Sequence, residues 1–134
     1  MANEIKISLS ITAEKNGAKY ARQVVFNDDM AGDTWVTAVQ EVGAGGSEDL
    51  ITHENIGTYG WIFLKNLGTN SANYVDFAHT AAALDGDDNI CRLYGGEACI
   101  LKCSAGNAGA TVVTELHAIS SSGTQNVEYA IIEL

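Results

Sequence analysis

Three cysteines carry the most reactive side chains of this chain, and their spacing limits the chemistry open to them. Gly95-Gly96 predicts a two-residue hairpin turn, which pairs Arg92 with Cys99 and places Cys91 and Cys99 on opposite faces of the sheet. Cys99 and Cys103 would share a face but lie about 13 Å apart, whereas a disulfide needs Cα atoms within about 7 Å. We therefore expect free thiols that pack as small apolar side chains, with neither a disulfide nor a zinc site. A three-residue turn would instead bring Cys91 and Cys99 to one face.

Two acidic stretches, residues 28–33 and 85–88, are the candidates for ion binding. The second resembles the start of a calcium loop, but positions six and twelve of an EF-hand loop would here be Ile90 and Gly96, which supply no ligand. Calcium sites of another kind are left open for both stretches. The expectation is that these acids lie in solvated loops.

The histidines show none of the spacings that zinc enzymes use. Ser104, His117 and Glu115 could be written as a nucleophile, a base and an orienting acid, but no local nucleophile signature accompanies them. The sequence therefore predicts no enzyme, no catalytic residue, no metal and no cofactor.

Composition excludes several classes of partner. The 134 residues carry 17 acids against 7 bases, a formal charge of −10, which argues against binding nucleic acid or anionic membranes. No segment approaches the roughly 20 apolar residues of a membrane-spanning helix. The first seven residues lack the basic-then-apolar pattern of a secretory signal, and three cysteines fit a reducing compartment, so we expect synthesis in a cytoplasm.

Short apolar segments separated by Gly, Asn, Asp and Ser predict an all-β fold. Strict alternation over residues 4–12 predicts a half-buried strand, and Asn16-Gly17 predicts the turn that follows it. The apolar run 59–67 predicts a strand that is covered on both faces. About nine short strands are expected in one antiparallel β-sandwich domain over residues 1–134, with a jelly-roll-like arrangement. The segments are 4–12, 19–26, 34–42, 49–53, 59–67, 73–78, 89–94, 97–103, 111–120 and 127–134, with one helical turn at 80–84.

Aromatic residues offer a rival interpretation of function. Trp35, Tyr59, Trp61 and Tyr74 could stack on sugars if they are exposed beside Asp and Asn. Packing in the core or at an interface is favoured, because Trp61 lies inside an apolar run and aromatic side chains contribute large buried areas.

Four stretches in the second half of the chain carry a family resemblance, residues 60–67, 73–75, 97–102 and 127–133. These strand sequences resemble those of a group of small tailed-bacteriophage virion proteins of the head-decoration (cement) type. The resemblance covers about residues 57–134, with a weaker echo at 29–33, and Cys99 and Cys103 stand where ordinary aliphatic residues are expected.

This resemblance implies a non-enzymatic β-sandwich subunit, a homotrimer, bound to the major capsid protein on the outside of a capsid in the virion. Trp61, Phe63, Tyr74 and Tyr129 are the expected packing or interface anchors. The alternatives are a subunit of the tail, neck or fibre, and a carbohydrate-binding β-sandwich module.

Overall fold

The computed structural model describes residues 4–30, 34–44, 49–50, 56, 59–79, 89–103 and 115–133. The predicted helical turn at 80–84 and the acidic stretch at 85–88 lie outside these residues. Two compact units are present, Met1–Gly32 and Asp33–Leu134.

Ten β-strands account for the regular structure of the described residues, and all their pairings are antiparallel. The all-β prediction is therefore confirmed. The strands are β1 Ile5–Lys15, β2 Ala18–Asp28, β3 Trp35–Val42, β4 Asp49–Leu50, β5 Tyr59–Asn66, β6 Tyr74–Ala78, β7 Cys91–Tyr94, β8 Ala98–Lys102, β9 His117–Ser120 and β10 Gln125–Glu133.

The first unit is a long hairpin, in which β1 and β2 pair over eleven residues each. The predicted Asn16-Gly17 turn closes it, with φ of 53° and 81° at the two positions. Two successive positive φ angles characterise the turn that matches the twist of a two-residue hairpin, and Asn and Gly are the residues that tolerate them best. β1 and β2 form a two-stranded sheet of their own.

The second unit is a sandwich of two four-stranded sheets, in the orders β3-β10-β5-β8 and β4-β9-β6-β7. The pairing is nested: β3 pairs with β10, β4 with β9, β5 with β8 and β6 with β7. In this nesting most consecutive strands of the unit belong to opposite sheets.

The core lies between the two sheets because each presents its apolar side to the other. β5 and β10 contribute Ile62, Leu64 and Ile131, and β6 contributes Val75 and Phe77, all fully buried. β5 is buried along nearly its whole length, as its unbroken apolar sequence predicts.

The prediction that β7 and β8 pair as a hairpin is wrong. Tyr94 and Glu97 do close a tight turn, since the Glu97 N–H donates to the Tyr94 carbonyl at 2.9 Å, but the two strands then enter opposite sheets. Both glycines serve this crossing. A Cβ on Gly95 would lie 2.6 Å from the Asn70 carbonyl oxygen, and Gly96 has a φ of +88°.

Asn66, at the end of β5, holds this crossing in place from inside the protein. Its main-chain N–H donates to the Glu97 carbonyl, and its carbonyl accepts from the Gly96 N–H. Its side-chain Nδ2 donates to the Leu93 carbonyl at 3.1 Å, and its Oδ1 accepts from the Gly68 N–H at 2.9 Å. One buried amide therefore joins the two sheets and fixes two of the chain connections.

The variant Asn66→Asp tests this role. The carboxylate keeps the acceptor for Gly68 but loses the donor to Leu93, so we expect a loss of about 2–4 kcal/mol in the free energy of unfolding. The loss should shrink as the pH falls toward about 4, because the protonated carboxyl can donate again.

Denaturant unfolding at neutral and acidic pH measures both effects. Asn70→Asp is the matched control, because exposed Asn70 uses only its side-chain oxygen, which accepts from the Ala72 N–H. Equal stability losses in the two variants would contradict the role assigned to Asn66.

Candidate functional site

Large apolar side chains that remain exposed are concentrated on two β surfaces. Among the described residues ten such side chains are exposed, and seven of them lie on β1, β2 and β3. Exposed apolar side chains that cluster in this way mark interaction sites. The seven are Leu9, Ile11, Tyr20, Val25, Phe26, Trp35 and Val39.

The first surface, which we call the arm face, is one side of the β1–β2 hairpin. The register places the odd-numbered residues of β1 opposite the even-numbered residues of β2, and both sets are mainly apolar. Ile5 and Ile7 are buried at the base, whereas Ile11 and Tyr20 near the tip are 56% and 57% exposed. The arm face consists of Ile5, Ile7, Leu9, Ile11, Ala13, Ala18, Tyr20, Val24 and Phe26, together with the basic Lys15 and Arg22 and, at the base, the acidic Asp28.

The second surface, which we call the sheet face, is the outer side of the sheet β3-β10-β5-β8. Trp35 and Val39 lie on the edge strand β3 and are 65% and 59% exposed. The register continues from Trp35 through Ile132 to Trp61, and the next row contains Phe63. The apolar rows of the sheet face therefore run across β3, β10 and β5.

The sheet face also carries charges close to its apolar rows. Lys102 lies opposite Trp61, and its Nζ stands 5.3 Å from the centre of the indole ring. Glu128 lies between Val39 and Lys65 in the register. An apolar centre with charged residues around it is the composition that protein interfaces show.

A polar cluster stands on the outer side of the other sheet. Arg92 binds the buried Asp76 carboxylate with two hydrogen bonds, Nε to Oδ1 at 2.7 Å and Nη2 to Oδ2 at 2.9 Å. The guanidinium carbon lies 4.0 Å from the centre of the Tyr74 ring, and the Tyr94 ring meets Tyr74 edge-on with centroids 5.4 Å apart. The hydrogen bonds that Arg92 donates to Asp76 raise the pKa of Arg92, so its side chain stays positively charged.

The predicted anchor residues are divided among these regions. Tyr129 is buried in the core, Trp61 is nearly buried, Phe63 is half-buried on the sheet face, and Tyr74 belongs to the Arg92 cluster. They are therefore not brought together into one site.

The prediction that Cys91 and Cys99 lie on opposite faces of a hairpin, away from each other, is wrong. Cys91 and Cys99 were expected on opposite faces of a hairpin, but they approach each other across the sandwich with Sγ atoms 3.5 Å apart. The cause is that β7 and β8 belong to facing sheets, so the parity rule for paired strands does not apply to them. Cys91, Cys99 and Cys103 are all free thiols.

The two neighbouring thiols affect each other's ionisation. The hydrogen bond with Cys99 and burial raise the pKa of Cys91, while the same hydrogen bond lowers the pKa of Cys99. Burial raises the pKa of Cys103.

Of the three residues considered for catalysis, two are described and lie next to each other. The Nε2 atom of His117 is 3.3 Å from Oε2 of Glu115, whereas Ser104 lies outside the described residues. No group of three or more potential metal-ligating side chains occurs in the parts of the chain that the structure describes. Of the acidic stretch 28–33, Asp28 and Asp29 are seen, and residues 85–88 are not described.

The main feature that sequence reasoning missed is the exposure of the arm face. The alternation of Ile5, Ile7, Leu9 and Ile11 does predict a strand with one apolar side. Burial of that side depends on a second layer, and no sequence pattern says whether the second layer belongs to the same chain.

Comparison of this chain with protein-family models, with curated proteins and with solved structures finds no match in any of the three. Among the described residues, no helix is long and apolar enough to cross a membrane. The assignment of function therefore depends on the residues and surfaces described above.

The Cys91–Cys99 contact predicts selective disulfide formation. Exposure to oxidised glutathione should let one thiolate of the pair attack the glutathione disulfide, after which the other cysteine displaces the bound glutathione. The chain would lose two hydrogens, and two molecules of reduced glutathione would be released. Intact-mass spectrometry and thiol titration measure this change.

Cys103→Ser is the control and should form the bond as readily as the parent chain. Cys91→Ser and Cys99→Ser should stop at the mixed disulfide with glutathione. A stable disulfide that includes Cys103 in the parent chain would contradict the geometry.

Proposed function

We propose that this chain is a non-enzymatic structural subunit of a bacteriophage virion that binds the outside of the capsid and stabilises the shell. The proposal is carried by one observation, the two exposed apolar β surfaces that a compact sandwich and its hairpin present. The resemblance of residues 57–134 to head-decoration proteins supplies the context of a virion.

Capsid decoration requires a subunit that binds an assembled lattice better than free capsid protein. Such a ligand stabilises the shell by RT ln(1 + [L]/Kd) at each site, so modest affinity is enough when the sites are numerous. Self-association of the subunit would raise the effective affinity further, because one bound copy holds the others near their sites. Two separate contact surfaces suit these two tasks.

The sheet face is the surface that we assign to the capsid. It is broad, since it spans four paired strands, and its exposed edge carries Trp35, a residue type that often dominates binding energy at interfaces. The acidic charge of the chain, −10 overall, keeps unbound copies soluble and apart from one another before docking.

The same surfaces would serve a subunit of the tail, neck or fibre, which is the alternative within the virion. A carbohydrate-binding module is the alternative from another class, and the exposure of Trp35 favours it. Of its three other proposed stacking residues, Tyr59 and Trp61 are buried and are not available to a sugar. The ring of Tyr74 has Arg92 packed against it.

Co-sedimentation with purified capsids of the phage that encodes this chain tests the proposal. We expect the parent chain to pellet with capsids, and Trp35→Ser to lose at least about tenfold in affinity because it removes the most exposed aromatic of the sheet face. Deleting the last strand is a poor test, since β10 pairs with both β3 and β5 in the middle of its sheet.

Ile90→Ser is the matched control, because Ile90 is also an exposed apolar residue but lies outside both surfaces. Retention of full capsid binding by Trp35→Ser would contradict the assignment of the sheet face. Binding of the parent chain to a glycan array, lost in Trp35→Ser, together with no binding to capsids, would replace the proposal with the carbohydrate-binding alternative.

A further inference from the structure

Charge is distributed unevenly between the hairpin and the sandwich. Residues 5–27 carry four bases and one acid, a formal charge of +3, with three further acids at the base of the hairpin. Residues 33–134 carry the remaining three bases and 13 of the 17 acids, a formal charge of −10. The four bases of the hairpin are Lys6, Lys15, Lys19 and Arg22.

Part of this basic charge lies on the arm face itself. Arg22 is the register partner of Ile11, and Lys15 is two residues beyond Ala13 on the same side. Lys19 lies on the opposite side, where its Nζ is 3.4 Å from the Glu14 carboxylate. The exposed end of the arm face is therefore apolar and basic at once.

A two-stranded hairpin of this kind needs a second layer. Isolated two-stranded hairpins are marginally stable in water, and stability requires further strands or packing against another layer. Toward the tip of the arm face more than half of the Ile11 and Tyr20 surfaces is exposed, so this end of the hairpin would gain stability from a further apolar layer.

We propose that the arm face of one copy binds the sandwich of a second copy of this chain. The acidic β-sandwich and the basic, apolar end of the arm face attract each other electrostatically. Every copy of the chain carries both, so one copy can supply the arm and another the sandwich. Packing of two arm faces on each other is disfavoured, because the exposed end of each carries the basic Lys15 and Arg22. The contact therefore joins unlike surfaces, and copies linked in this way close into reciprocal pairs or rings.

This inference deepens the proposed function, because it names the partner of one of the two surfaces, and it can fail separately. Self-association of the arm is measured on the chain alone, without capsids. A chain that binds capsids but stays monomeric would overturn the inference and leave the proposed function standing. A chain that self-associates but never binds capsids would overturn the proposed function and leave the inference standing.

Sedimentation velocity of the full chain over a wide range of concentrations is the test. We expect the mass to rise to a multiple of one chain, and the association to weaken as sodium chloride screens the attraction between arm and sandwich. The double variant Ile11→Thr with Tyr20→Thr should weaken it at least about tenfold. Threonine is β-branched, so the hairpin keeps its strand propensity.

Val25→Thr is the matched control. Val25 is an exposed apolar residue of β2, at 47%, but its register partner is Ser8, on the side opposite the arm face. Circular dichroism of all variants shows whether the strands are retained. Arg22→Glu adds a second measurement, since reversing a charge on the arm face should weaken association more at low salt than at high salt.

A parent chain that sediments as a single copy at every concentration overturns the proposal. So does equal weakening by Val25→Thr and by the double variant, because the contact would then not involve the arm face. Association that strengthens with salt would also overturn it, since apolar contact alone would then drive assembly.

Discussion

The arrangement of the sandwich depends on the buried amide of Asn66. The nested pairing places most consecutive strands in opposite sheets. The connections at the end of β5 and between β7 and β8 therefore cross from one sheet to the other, and the hydrogen bonds between paired strands do not fix them. Asn66 binds both connections, through Gly68 on one side and through Leu93, Gly96 and Glu97 on the other. Because a buried amide without partners is costly, these bonds favour one arrangement of the two sheets over its alternatives.

The exposed apolar side chains of the sheet face are not part of the core of the sandwich. The inner faces of the two sheets are filled by a continuous core, whereas Trp35 and Val39 lie on the outer face and are exposed. The hairpin belongs to a separate compact unit. Apolar surface in both places is a cost in solubility for a single chain, and its simplest physical use is contact with other proteins.

The sequence predicts the elements of this fold better than their arrangement. The all-β class, the Asn16-Gly17 turn and the fully covered β5 follow from local patterns, because turn residues and apolar periodicity act over a few residues. The assumption that strands joined by Gly95-Gly96 form a hairpin fails, since a tight turn does not determine which sheet the next strand joins. The meeting of Cys91 and Cys99, and the exposure of the arm face, depend on that long-range arrangement and could not be predicted.

The central claim is that this protein works by occupying a lattice of other proteins. Quantitative mass spectrometry of purified phage particles tests it most directly, by measuring the ratio of this chain to the major capsid protein. The account predicts a fixed ratio in every preparation, as expected for a subunit that fills repeated lattice positions. Absence of the chain from particles that are otherwise complete would contradict it.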